Sequence, residues 1–170
     1  MRIASLLLAL PILAASCGGS ADPTDLTKAG ETSLGSQDSA AAAQSFDAAL
    51  KAIGTETAHP MYVRAKLGLA EAFASTDPNQ SQTIIAALLK ELPGKVTAKE
   101  IIAVMNKMSE SSADDAIGAT IATLKLAIDE FPDAKAKLDV LGNFLKAKAE
   151  KAGDTGGASA LDGLGYTGGD

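Results

Sequence analysis

The sequence predicts an all-α fold of about seven helices. Alanine dominates its apolar residues, tryptophan is absent, and aromatic residues make up 4% of the chain. Apolar residues recur at spacings of three and four, the period of an amphipathic helix, through most of the sequence. Proline, glycine and capping residues separate these stretches. Because small side chains let helices approach closely, this composition favours packed helices over sheets.

The first sixteen residues have the pattern of a secretory signal peptide. Arg2 supplies a basic start, and a nearly unbroken apolar run from residue 3 to residue 15 follows and ends in small side chains. This run is shorter than the roughly 20 apolar residues that a membrane-spanning helix needs. The sequence therefore predicts that residues 1–16 are a signal peptide, removed on export.

Cys17 is the only cysteine of the chain, so it has no disulfide partner within it. The residues Ala14, Ala15, Ser16 and Cys17, with Leu13 just ahead, resemble a bacterial lipobox, in which the cysteine thiol is lipidated and the chain is cleaved before it. The resemblance implies a diacylglycerol group and an acyl chain on Cys17, enough for stable anchoring in a membrane. The alternative is an ordinary secretory signal that leaves Cys17 as a free thiol.

The residues after Cys17 bear on where the protein is held. Gly18 follows the cysteine, rather than the Asp that retains lipoproteins at the inner membrane of some bacteria, so the resemblance implies an outer membrane and a domain facing the periplasm. Residues 17–24 have two glycines and no apolar period, and we interpret them as a flexible tether. At about 3.3 Å per residue the tether reaches at most roughly 25 Å, which keeps the domain near the membrane.

Net charge excludes one class of partner. The chain has 15 basic and 21 acidic residues, and loss of the signal removes Arg2, which leaves a net charge of about −7. Phosphate backbones and anionic lipid headgroups repel an acidic domain, so binding to nucleic acid is not expected. The remaining 154 residues fit one domain of ordinary size.

The first four helices are predicted from caps and periodicity. The first is short, over residues 25–34, and glycine ends it. The second, over residues 38–53, places its apolar residues on one stripe and is also ended by glycine. The third, over residues 60–75, starts with a proline and carries two apolar stripes, so it is expected to pack on two sides. The fourth follows Asp77-Pro78, an N-cap and first-turn proline.

The last three helices are predicted in the same way. Thr97 and Glu100 have the spacing of a capping box and open the fifth helix. The sixth, over residues 113–131, has the most regular apolar period and ends at a proline. Asp133 is predicted to cap the seventh, which runs to residue 152.

Residues 153–170 are predicted to form a disordered tail. Seven of these eighteen residues are glycine, and they follow neither a helical nor a strand period. The backbone entropy of glycine makes such a segment costly to order. Leu161, Leu164 and Tyr166 are either a short peptide that a partner recognises or scattered apolar residues in a flexible end.

An internal pattern runs through residues 25–152. Leu67-Gly68 and Leu141-Gly142 each lie in the middle of a predicted helix, as does Ala29-Gly30 in the first. In the second helix Ala42 lies four residues before Phe46, and Pro132 follows the sixth. This arrangement resembles the tetratricopeptide repeat (TPR), which has Leu-Gly in its first helix, Ala and then an aromatic residue in its second, and a proline at its exit. The resemblance implies antiparallel helical hairpins stacked as a short α-solenoid.

The repeat spacing is irregular. Gly30, Gly68, Met108 and Gly142 share one repeat position, with intervals of 38, 40 and 34 residues, of which the last equals the TPR period. Met108 replaces a glycine, and Ser81 and Thr120 replace alanines in the second helices. The alternative is an alanine-rich helical bundle that does not stack as a superhelix.

The sequence contains no recognisable catalytic or metal-binding constellation, so a non-catalytic protein without a cofactor, apart from the lipid on Cys17, is expected. His59 is the only histidine and precedes Pro60 at a predicted helix start, where a capping or solvated role is expected. Asp114-Asp115 lies in a first helical turn, where the helix dipole favours negative charge. The glycine pairs of the tail follow no strand and open no predicted helix, which excludes a nucleotide-binding fingerprint.

Two functions remain open. The first is a lipid-anchored TPR-like scaffold that holds a protein or peptide partner in the bacterial envelope. The resemblance implies a concave partner-binding face formed by the first helices of the repeats, with the positions Tyr62, Leu69, Asp139, Asn143 and Lys146. The second is a structural lipoprotein or a carrier that closes a helical bundle around a small apolar ligand.

Overall fold

A computed structural model describes residues 21–166. Residues 1–20 and 167–170 lie outside the described residues, so the signal peptide and the lipidation of Cys17 stay predictions. Between residues 21 and 166 the chain forms eight α-helices and one 3-10 turn and contains no strand, which confirms the all-α fold class. The elements are α1 Pro23–Gly35, α2 Ser39–Ile53, α3 Tyr62–Phe73, α4 Pro78–Glu91, α5 Ala98–Glu110, α6 Ala116–Glu130, the 3-10 turn Pro132–Ala134, α7 Lys135–Ala152 and α8 Thr155–Asp162.

Two helix starts follow the predicted caps. The Asp77 carboxylate accepts the backbone N–H of Gln80 at 3.0 Å at the start of α4. At the start of α5 the Glu100 carboxylate accepts the backbone N–H of Thr97 at 2.8 Å, and the Thr97 hydroxyl accepts the N–H of Glu100 at 3.4 Å. The capping box is therefore formed in both directions.

Other boundaries differ from the predicted ones. Helix α1 begins two residues before its predicted start, with Asp22 accepting the N–H of Thr24 at 2.7 Å, so Pro23 and Thr24 belong to a helix and not to the predicted tether. Helix α3 begins at Tyr62 with Met61 at its N-cap and no side-chain cap; the His59 imidazole Nδ1 accepts the N–H of Met61 at 3.1 Å, in the turn before the helix. The prediction that Asp133 caps α7 is wrong, since Asp133 lies inside the 3-10 turn and no side chain caps α7.

The helices pack in two layers. Each helix contacts the next through a short connection, except that α4 contacts α6 far more than α5. Helices α1, α3, α5 and α7 also contact one another in succession, and α4, α6 and α8 do the same. We call the first set the odd layer and the second set, with α2, the even layer. Stacked helical hairpins produce this pattern, because each repeat buries its apolar face against its neighbours.

Phe46 joins the first two hairpins. Its side chain is fully buried, and its ring lies between Gly30 of α1 and Gly68 of α3. A Cβ added at Gly30 would be 2.7 Å from the ring, and one at Gly68 would also come closer than 3.0 Å. Only glycine leaves room for the ring at both positions, which gives these two residues a steric role.

The even layer carries the same two-residue pattern in all four hairpins. Its fully buried large residues include Phe46, Ile85, Leu124 and Leu161, at intervals of 39, 39 and 37 residues. Four residues before each stands a small residue, namely Ala42, Ser81, Thr120 and Gly157. The small residue allows a close helix approach and the large one fills the space beside it.

The polar members of this set are satisfied. The Ser81 hydroxyl donates to the carbonyl of Ala70 in α3 at 2.8 Å, and the Thr120 hydroxyl donates to the carbonyl of Ala116 one turn earlier at 2.7 Å. Both side chains are fully buried. Each hydroxyl therefore has a partner, as a buried polar group requires, and replaces alanine without an unpaired donor.

The predicted disorder of residues 153–170 is wrong for residues 155–166. Asp154 caps α8 by accepting the N–H of Gly157 at 2.9 Å, and the chain continues to Tyr166, whose N–H donates to the carbonyl of Leu161 at 3.0 Å. Leu161 is fully buried and Tyr166 is 4% exposed. Burial of these two side chains offsets the entropy of the glycines, and α8 completes a fourth hairpin with α7.

Candidate partner-binding surface

The odd layer carries an open groove between α1, α3 and α5. We call it the first groove; its volume is about 400 Å³. Each of its three helices contributes a wall because odd-numbered helices lie side by side. Its apolar lining includes Leu34, Val63, Leu67, Ala103 and Val104.

The rim of the first groove is charged. The guanidinium of Arg64 forms two hydrogen bonds with the Glu31 carboxylate, with Nη2 at 2.7 Å from Oε2, and Lys107 pairs with Glu71. Glu100, which also lines the groove, is engaged in the capping box of α5. These exposed ion pairs contribute at most about 1 kcal/mol each to folding. Three carboxylates against two cations leave the rim acidic.

A second groove lies on the other side of α5, between α5 and α7. It has a volume of about 330 Å³ and is lined by residues that include Ile102, Leu141 and Phe144. Within residues 21–166, Val140 and Phe144 are the large apolar residues that stay exposed, at 71% and 52%. They lie four residues apart on α7 and so share one face of the helix. An exposed apolar pair beside a groove is typical of an interaction surface.

The structure places Tyr62 and Leu69 away from both grooves. They line a third cleft, of about 450 Å³, whose walls come from α2, α3 and α4. The Tyr62 hydroxyl donates to the Glu91 carboxylate at 2.7 Å, and burial, followed by this bond, raises the pKa of Tyr62 to about 12. The Lys66 ammonium lies 5.5 Å from the Tyr62 ring centroid, within cation–π range. The α3 residues that line the first groove are instead Val63, Arg64 and Leu67.

The predicted residues of α7 divide into two groups. Asn143 is exposed. Asp139 and Lys146 instead face the C-terminal segment, which we define as residues 155–166. The Lys146 ammonium is 2.6 Å from the Asp162 carboxylate and 2.9 Å from that of Glu150, and Lys146 is 5% exposed. Whether any of these residues binds a partner stays a prediction.

Gly142 lies under the ring of Tyr166. A Cβ at Gly142 would come closer than 3.0 Å to three ring atoms, so the ring occupies the space that a side chain would need. The Asp139 carboxylate lies beside the Tyr166 hydroxyl, and burial, then this negative charge, raises the pKa of Tyr166 to about 12. A hydrogen bond from Lys135 holds the pKa of Asp139 below its usual range. Hydrogen bonds to Asp162 and then Glu150 raise the pKa of Lys146.

Within residues 21–166 no cluster of three or more His, Cys, Asp or Glu side chains is placed to hold a metal ion. None of the described helices is both long and apolar enough to cross a membrane. No protein-family model, curated protein or solved structure matches the chain.

Proposed function

We propose that this protein is a non-catalytic interaction scaffold of the bacterial envelope, held at the outer membrane by lipid on Cys17. The observation that carries the proposal is the pair of open grooves that flank α5 in the odd layer. An acidic domain with grooves between stacked hairpins is suited to bind a peptide, as the resemblance to TPR proteins implies. The described clefts open at the surface between helices, which supports a scaffold rather than a carrier that encloses its ligand.

The chemistry of the grooves defines the partner. The floor of the first groove is apolar, and its rim carries more carboxylates than cations. The second groove adds the exposed Val140 and Phe144. The preferred ligand is therefore a protein segment with aliphatic or aromatic side chains flanked by Lys or Arg. Such a segment would bury its apolar side chains in the grooves and place its cations at the acidic rim.

Site-specific photocrosslinking in the native envelope tests the scaffold. A photoreactive residue is placed at Ala103, which is exposed in the first groove, or at Val140 in the second. Lys125, exposed on α6 of the even layer, is the matched control. We expect the same partner adduct from the two groove positions and none from Lys125. Absence of adducts in the grooves, or equal adducts at Lys125, would contradict the proposal.

A separate experiment tests the anchor. Cells that express the natural chain or the Cys17→Ser variant are fed an alkyne fatty acid, and label on the protein is measured after membrane fractionation. We expect label and membrane association only with Cys17. Equal labelling of both chains would contradict lipidation at Cys17. It would not bear on partner binding in the grooves, which the crosslinking experiment tests separately.

A further inference from the structure

The C-terminal segment is held by contacts rather than by its own helical tendency. Helix α8 has eight residues, and two of them, Gly156 and Gly157, are glycines in its first half. Each glycine disfavours a helix by about 1 kcal/mol relative to alanine, and an isolated helix of this length is unstable in water. Two more glycines, Gly163 and Gly165, separate α8 from Tyr166. Detached from the domain, the segment would be unfolded.

Three contacts hold the segment on α7 and α6. Leu161 is fully buried in the main core, which includes residues of α6 and α7. The Asp162 carboxylate reaches the nearly buried Lys146 ammonium at 2.6 Å. Tyr166 lies over Gly142 with its hydroxyl beside Asp139. A tyrosine packed over a glycine, beside a charge pair whose cation is nearly buried, has the character of an interface hot spot.

We propose that α6 and α7 form a peptide-binding slot and that the C-terminal segment is its resident, displaceable ligand. The partner it admits is a protein segment with the chemistry of residues 161–166: a leucine, an acidic residue directly after it, and a tyrosine four residues after the acid. The carboxylate pairs with Lys146, the ring covers Gly142, and the tyrosine hydroxyl meets Asp139. The slot uses a different face of α7 from the second groove, so it does not rest on the scaffold proposal.

The resident segment sets the affinity of the slot for a partner. A two-residue connection, Gly153 and Asp154, joins the segment to α7, so its effective concentration at the slot is high. A free peptide binds only the fraction of molecules whose segment is released, and its apparent affinity falls by that fraction. Weakening the resident contacts should therefore strengthen binding of a peptide added in trans.

A binding experiment on the mature-length chain with Cys17→Ser tests this consequence. The probe is a fluorescent synthetic peptide of residues 154–166, and fluorescence anisotropy measures its binding. We expect binding at least tenfold tighter to the Tyr166→Ala chain than to the chain with Tyr166. The same peptide with alanine in place of its tyrosine should compete at least tenfold less well. Equal affinity for the two chains, or no binding to a folded Tyr166→Ala chain, overturns the proposal.

Two lysines of α7 provide a matched pair in the Tyr166→Ala background. Lys146→Met removes the cation that pairs with Asp162 and should weaken the peptide at least fivefold. Lys151, exposed near the end of the same helix, is the control, and Lys151→Met should leave the affinity within twofold. Equal losses in the two variants would mean that net charge and not the slot binds the peptide, and would overturn the assignment.

Hydrogen exchange on the chain that keeps Tyr166 measures opening of the C-terminal segment without any substitution in the slot. Amides of residues 155–166 should exchange at least 100-fold faster than the core amides of α6, because the segment opens without global unfolding. Exchange of both at one rate would show that the segment is a fixed part of the core, and so would overturn the proposal. If the chain forms a dimer and Tyr166→Ala dissociates it, the occupant of the slot is a second copy of the chain and not a partner peptide. That result would also overturn the proposal.

Discussion

Gly68→Ala and Gly118→Ala are the same substitution in two helices, and the structure predicts opposite effects on stability. Gly68 lies in α3 against the ring of Phe46, whereas a Cβ at Gly118 in α6 would meet nothing within 4 Å. Alanine is the better helix former by about 1 kcal/mol at both positions. Only at Gly68 does the added methyl group collide with a buried side chain.

The collision outweighs the gain in helix propensity. A Cβ at Gly68 would come closer than 3.0 Å to the Phe46 ring, where contacts of 3.4–4 Å are ordinary, so the ring must shift. Gly30 already packs against the same ring, and Phe46 is fully buried. Overpacking of this kind costs about 1–3 kcal/mol. With about 2 kcal/mol lost to the collision and about 1 kcal/mol gained in helix propensity, we expect Gly68→Ala to lose about 1 kcal/mol net and Gly118→Ala to gain about 1 kcal/mol.

Thermal unfolding of the two variants, followed by circular dichroism, measures the difference. A gap of about 2 kcal/mol corresponds to roughly 4–8 °C in Tm for a domain of this size. Phe46→Leu should relieve the collision, so the loss in the Gly68→Ala/Phe46→Leu chain should be at least about 1 kcal/mol smaller than the sum of the two single losses. Equal Tm values for the two glycine variants, or additive losses, would refute the steric role of Gly68.

Three further predictions concern a cap, a buried hydroxyl and the tyrosines. Thr97→Ala removes one half of the capping box and should lower the free energy of unfolding by about 1 kcal/mol in urea titrations, whereas Thr83→Ala on α4 serves as an exposed control. Ser81→Ala leaves the Ala70 carbonyl without its hydroxyl donor and should cost about 1–2 kcal/mol in the same assay. Folding raises the pKa of both tyrosines to about 12, so the stability that their neutral form contributes is complete below about pH 10 and is lost as the pH rises to 12. Near-ultraviolet absorbance should therefore show both phenols ionising near pH 12, and a transition at pH 10 in the folded chain would contradict the burial.

Caps and steric pairs could be predicted from the sequence because they are local. Thr97 and Glu100 are three residues apart, and their hydrogen bonds depend on a single turn of backbone. The spacing of Ala42 and Phe46 likewise depends on one helix alone. At the start of α7 two local rules compete: Pro132 can begin a helical turn, and Asp133 can cap a helix. The boundary predicted there is therefore less accurate.

The orientation of α3 could not be predicted in the same way. Its apolar residues form two stripes, and both stripes are buried to some degree. Which stripe faces α2 and which lines the first groove depends on how the helices cross, and a rotation of one residue exchanges Tyr62 for Val63. The sequence therefore identified the layer, and the structure places Tyr62 and Leu69 on a different face of α3 from the one that lines the first groove.

The sequence alone does not predict helix α8, because the entropic cost of ordering its glycines is offset only when the segment docks on α6 and α7. A usable signal was present, since Gly157 and Leu161 have the four-residue spacing of Ala42 and Phe46, and Asp154 stands at the N-cap. The spacing becomes informative only when the preceding hairpins establish the register of the even layer.

Packing volume explains why the repeat pattern is irregular in the middle of the chain. The first two hairpins place glycine on both sides of Phe46, and the large ring fills the space. In α5 the glycine position holds the fully buried Met108, and the even-layer residues in the same core are the smaller Ile85 and Leu124. At Gly142 an aromatic ring returns, supplied by Tyr166 from beyond α8. The loss of space at the glycine position of α5 thus coincides with smaller even-layer residues in the same core, as a close-packed interior requires. The resident ring over Gly142 has the same steric place as Phe46 over Gly68, but it is carried by a segment that a peptide can replace.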